Sequence, residues 1–84
     1  MSYTGRCYCG DLKYEFDDPI HSQLLCYCRE CRYLSGGEAN TSIVISEGNF
    51  RFTKGEPNTF ERGDLEKPRT RYFCGNCGTH ICVK

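Results

Sequence analysis

Several features that would direct a chain of this kind are missing. No apolar run approaches the roughly 18 residues of a membrane-crossing helix. No apolar signal core follows Met1-Ser2-Tyr3-Thr4-Gly5-Arg6 either. The expectation is a cytoplasmic protein with no membrane partner. Net charge is also absent, because eleven basic side chains balance eleven acidic ones. Without a lysine- and arginine-rich face, no nucleic-acid partner is expected. Neither a Pro/Gly/Ser-rich linker nor an internal repeat divides the 84 residues, so one domain over residues 1–84 is expected. A domain that small buries a modest fraction of its surface. Ordering it costs roughly 1.5 kcal/mol per residue, about what its apolar burial returns. A staple is therefore expected, in the form of disulfides, a metal or oligomerisation.

Cysteine is what the chain has in excess, with eight in 84 residues. That is near the roughly 8–10% level of disulfide scaffolds and metal clusters. In a reducing compartment, paired cysteines more often hold metal than form disulfides. Seven of the eight fall into three short clusters: Cys7-Tyr8-Cys9-Gly10, Cys26-Tyr27-Cys28-Arg29-Glu30-Cys31 and Cys74-Gly75-Asn76-Cys77-Gly78. Cysteines two or three apart can reach one ion across a tight turn, and structural zinc is commonly held by two such pairs. Gly10 and Gly78 follow their pairs, where backbone N–H groups must approach the sulfurs. Pairing Cys7 and Cys9 with Cys74 and Cys77 makes a closed four-thiolate zinc site. Cys26, Cys28 and Cys31 then remain as three ligands with a free position, the general form of a catalytic zinc site. Seven metal-bound thiolates would also turn the neutral chain negative.

The rest of the chain reads as β-rich. Residues 12–16 alternate apolar and polar, as do 50–53 and 69–73. Residues 41–45 are β-branched, and short strands are expected at 59–62 and 79–83. Turns fall at Asp17-Asp18-Pro19, Glu47-Gly48-Asn49 and 54–58, with an exposed loop at 63–68. One helical turn or two is expected after Cys28, reaching Tyr33-Leu34 and stopped by Gly36-Gly37.

With these motifs in place, the sequence resembles the glutathione-dependent formaldehyde-activating enzyme family, whose domain is shared with centromere protein V. The matching stretches are Gly5-Arg6-Cys7-Tyr8-Cys9-Gly10, Cys26-Tyr27-Cys28-Arg29-Glu30-Cys31-Arg32, Ser35-Gly36, Gly55-Glu56-Pro57 and Tyr72-Phe73-Cys74-Gly75-Asn76-Cys77-Gly78-Thr79. They follow the family order over nearly the whole chain. The resemblance implies a small zinc-stapled β-tent of packed antiparallel sheets. It implies a structural zinc at Cys7, Cys9, Cys74 and Cys77, and a labile catalytic zinc at Cys26, Cys28 and Cys31. The implied activity is carbon–sulfur lyase chemistry on the adduct of glutathione thiol and formaldehyde. Two points depart from the family pattern. Tyr27 stands where the family often has histidine, and family domains continue for several strands past the last ligand pair. A sheet edge left open would invite a second copy, so a homodimer is among the expectations.

Each candidate has a plainer alternative. The outer cysteines could form two disulfides, and the middle three could be an unoccupied thiol cluster. Cys82 reads as a small hydrophobe on the closing strand, and His21 and His80 as ordinary strand or surface residues. Arg29, Arg32, Arg69 and Arg71 flank the ligand motifs and would otherwise be a solvated face. The planar guanidinium fork suits carboxylates, so Arg29 and Arg32, nearest the middle cluster, are candidate contacts for a small thiol substrate such as glutathione. The rival to the enzyme is a non-catalytic zinc-binding interaction module.

Overall fold

The structure, a computed structural model, describes residues 2–84. Among these residues are eight strands and one α-helix. In chain order they are β1 (Ser2–Arg6), β2 (Lys13–Asp17), β3 (Ile20–Cys26), α1 (Arg29–Ser35), β4 (Asn40–Ile45), β5 (Phe50–Lys54), β6 (Asn58–Phe60), β7 (Arg71–Phe73) and β8 (His80–Val83). They form three small antiparallel sheets, ordered β1-β2-β5, β3-β4 and β6-β7-β8. The fold is mainly β, as expected. No helix among the described residues is long and apolar enough to cross a membrane.

The first sheet follows from strict alternation. Tyr14 pairs with Phe52 and Phe16 with Phe50 across β2 and β5. Their rings meet on one face, with Tyr14 and Phe50 stacked at 5.5 Å and Phe50 edge-on to Phe52 at 5.2 Å. The other face is charged, where Arg51 bonds Glu15 at 2.6 Å and Asp17 at 3.2 Å. Its β1 strand was not anticipated, because Tyr3 is its one large apolar side chain. Tyr3 stacks on Phe16 at 5.0 Å, and the Tyr14 ring lies over Gly5, leaving no room for a Cβ. Phe52 extends the aromatic row to Tyr72 of the third sheet, at 6.4 Å.

The β3–β4 ribbon is built differently. In its register Gln23 faces Ile43 and Leu24 faces Ser42, so apolar and polar residues oppose each other on both faces. Leu24, Leu25, Ile43 and Val44 are all exposed. With no single buried face there is no period-two signal, which is why β3 escaped the sequence reading. The expected turn at residues 47–49 is a single 3-10 turn. The last three strands are shifted or trimmed by one to two residues, with β6 at Asn58–Phe60 and β7 starting at Arg71.

The buried core is very small. Cys7, Leu12 and Cys74 are its fully buried hydrophobic members, with Phe52, Cys77 and Ile81 packed against them. The centre of the fold is therefore also the place where the first and last cysteine clusters meet. Gly55 shows how tightly the chain wraps this point. Its φ is +75°, and a Cβ there would run into the carbonyl of Asp11 and the side chain of Leu12. This accounts physically for the glycine of the Gly55-Glu56-Pro57 motif.

Candidate metal centres

Two tight turns bring the outer cysteines together. In the first, Gly10 N–H bonds the carbonyl of Cys7 at 3.2 Å; in the second, Gly78 N–H bonds the carbonyl of Cys74 at 2.8 Å. Both glycines have positive φ, +85° and +80°, which most residues adopt only with strain. The glycines thus serve the turn, and other amides reach the sulfurs. Leu12 N–H lies 3.2 Å from Cys7 Sγ, and Cys77 N–H lies 3.4 Å from Cys74 Sγ. The sulfurs of Cys7, Cys9, Cys74 and Cys77 all lie within 4.8 Å of one another.

The proton affinities of this quartet are pulled apart. The Thr79 hydroxyl, 3.1 Å from its sulfur, and then backbone N–H groups hold the Cys77 thiol down to about 5. The Asn76 side chain and the Asp11 backbone favour a Cys9 thiolate, but burial and the thiols of Cys7 and Cys77 outweigh them and push it up to about 11. Clustered thiolates cannot all ionise without a compensating charge. A divalent cation supplies that charge, so the donor set fits a metal.

The middle trio is assembled from a strand end and a short helix. Cys26 closes β3, Cys28 caps α1, and Cys31 lies in its first turn. Cys28 Sγ accepts the Cys31 N–H at 3.4 Å and lies 3.1 Å from Cys31 Sγ. The helix stops where expected: Gly36 has φ +83°, and Gly37 N–H bonds the Arg32 carbonyl at 2.7 Å. The sulfurs of Cys26, Cys28 and Cys31 also lie within 4.8 Å of one another. The neighbouring sulfur and amide of Cys31 hold the Cys28 thiol down, whereas the sulfurs of Cys28 and Cys26 push Cys31 up to about 12. This opposed titration also fits a cation. None of the trio is buried and Cys28 is exposed, whereas the quartet combines an exposed Cys9 with the buried Cys7 and Cys74.

Two cysteine groups could therefore hold a metal ion. His21, His80 and Cys82 belong to neither group. His21 bonds the Ser46 hydroxyl at 3.0 Å. His80 sits on β8 with a buried Nε2 that has no partner among the described residues, and burial raises the Cys82 thiol. Tyr27 is 68% exposed, which excludes it from the core. Arg29 and Arg32 line a shallow groove of about 450 Å³ beside α1, with Tyr33, Gly36 and Gly37. Arg29 also lies over the Tyr33 ring at 5.9 Å. Arg71, grouped in the sequence with the flanking cations, instead pairs with Glu30. That ion pair, its extension to Arg62, and the contacts of Thr79 were not foreseen. The one sequence signal was an acid standing inside Cys28-Arg29-Glu30-Cys31-Arg32.

Compared with known proteins, the chain matches no curated protein and no solved structure. The family model described as glutathione-dependent formaldehyde-activating enzyme matches residues 2–84. That span takes in both cysteine groups, in the order and spacing described above, and the chain belongs to the glutathione-dependent formaldehyde-activating enzyme family.

Proposed function

We propose that the chain is a two-zinc protein with carbon–sulfur lyase-type activity on the adduct of a glutathione-like thiol and formaldehyde. Cys7, Cys9, Cys74 and Cys77 form the closed structural centre. Cys26, Cys28 and Cys31 form an open, labile centre where the chemistry takes place. The observation that carries this reading is the contrast between the two groups: four sulfurs that include the fully buried Cys7 and Cys74 beside an exposed Cys9, and three sulfurs of which none is buried and Cys28 is exposed. A zinc ion held by three protein thiolates supplies an open coordination position and lowers the pKa of what binds there. In the forward direction a carbon–sulfur bond forms between the substrate sulfur and the aldehyde carbon, and the thiol proton ends on the aldehyde oxygen. The reverse step breaks that bond and returns the proton to sulfur. Arg29 and Arg32 take the carboxylates of the thiol substrate in the groove beside α1. This chemistry belongs in the cytoplasm, where thiols stay reduced.

Calorimetry with glutathione at millimolar concentration tests this on zinc-loaded protein. Binding is expected in the wild type, weaker in Arg29→Ala and absent in Cys28→Ser. Equal heats in wild type and Cys28→Ser, or none in either, would remove the reading. A second reading is favoured by the exposed Leu24, Leu25, Ile43 and Val44 of β3–β4. A two-stranded ribbon is marginal by itself in water, and these side chains suit a non-catalytic interaction module that self-associates, for example as a homodimer. That reading gives no thiol binding, and a sedimentation profile that shifts with concentration.

A further inference from the structure

Helix α1 carries Cys31 and is capped by Cys28, yet none of its residues is buried. It joins β3 through the Tyr27–Cys28 linkage and ends at two positive-φ glycines, Gly36 and Gly37. Apolar packing therefore does little to fix its direction. Glu30 supplies the missing restraint. One carboxylate oxygen takes Arg62 Nη1 at 2.5 Å, and the other takes Arg71 Nη2 at 2.9 Å. Arg62 is itself held by a two-point fork to Asp64, at 2.6 and 3.0 Å. Arg71 has only 17% of its side chain exposed and lies on β7, the strand that runs directly into Cys74.

Isolated surface ion pairs contribute little, but this one is a network, with a largely buried Arg71 at one end and the two-point Arg62–Asp64 fork at the other. The geometry points to Glu30 as the positioning residue of the three-cysteine centre: its carboxylate, held between Arg62 and Arg71, locks α1 and thus Cys28 and Cys31 onto the sheet that carries Cys74 and Cys77. Glu30 is not among the clustered donor atoms, and each of its oxygens faces an arginine. Residues that orient ligands without touching the ion change metal affinity by about 10–100-fold when lost. The lower end is expected here, since Glu30 acts through the helix and not through a bond to sulfur.

This inference rests on the open centre proposed above, and zinc release from loaded protein to a chromophoric chelator separates the two claims. Wild type is expected to give a fast phase from the trio and a slow phase from the quartet. Glu30→Gln keeps the shape and removes the charge; its fast phase should quicken by about tenfold, with the slow phase unchanged. Arg71→Gln should behave alike, and Glu30→Gln with Arg71→Gln should be no faster than either alone, because both break one link. A Glu30→Gln protein with wild-type phases overturns the inference and leaves the open centre intact. Acceleration of both phases overturns it too, by showing a general loss of stability. A wild type with no fast phase removes the open centre itself.

Discussion

Thr79 has partners in two different ligand loops. Its Oγ1 accepts the N–H of Tyr8 at 3.1 Å and lies 3.1 Å from the sulfur of Cys77. One hydroxyl thus ties the turn between Cys7 and Cys9 to the turn that bears Cys77, and it favours the thiolate of Cys77. Thr79→Val keeps the shape and removes both interactions. Tyr8 is largely exposed, so water can satisfy its freed amide and the direct cost is small, about 1 kcal/mol. The larger effect is on the metal. In the proposed two-zinc protein, zinc should leave the four-cysteine centre roughly tenfold faster, while release from the three-cysteine centre stays as in wild type. Stopped-flow release kinetics on Thr79→Val decide the point, and an unchanged slow phase would show that Thr79 only fills space.

At the scale of elements, legibility in the sequence followed burial. β2 and β5 were readable because their aromatics all turn to one face and their charges to the other. Helix α1 was readable from its Gly36-Gly37 stop, whereas the capping role of Cys28 at its other end is visible only in the structure. β3 was not, because leucines point to both sides of an open ribbon. Among site residues, the cysteines were legible from spacing, whereas Glu30, Arg62 and Arg71 come together only through tertiary folding. β8 shows the same limit at His80. Its Nε2 is buried without a partner among the described residues, and burial followed by the nearby Arg71 charge holds its pKa below the usual 6.5. The folded state thus binds the proton less readily than the unfolded chain. Stability associated with His80 is present above about pH 6.5 and is lost as the pH falls. His80→Phe removes both the unpartnered nitrogen and this linkage. Denaturant titrations at pH 8 and pH 6 should show a smaller drop in the variant than in wild type, and an equal drop would assign the pH dependence to other groups.

For the molecule as a whole, the core and the four-cysteine group occupy the same place. Among the described residues, Cys7 and Cys74 are two of the three fully buried hydrophobic ones, and Leu12, the third, donates its N–H to the Cys7 sulfur. A chain of 84 residues has a net stability of about 4–13 kcal/mol at the usual 0.05–0.15 kcal/mol per residue. Structural zinc in small domains contributes about 10 kcal/mol or more. If the four-cysteine group holds zinc as proposed, losing that ion removes about as much as the whole net stability. The three-cysteine group joins the end of β3 to a helix with no fully buried residue, so losing an ion held there should leave the rest of the chain folded. The two centres can be told apart by one pair of variants. Cys77→Ser should give a chain without a cooperative thermal transition, with or without added zinc. Cys28→Ser should melt cooperatively when zinc-loaded, and a strong chelator should then abolish its transition. Circular dichroism melts on the two proteins measure this directly. A Cys77→Ser protein that melts like wild type would mean that the aromatic row from Tyr3 to Tyr72 holds the sheets together without the metal. A Cys28→Ser protein that fails to fold would mean that the surface centre, too, is part of the fold.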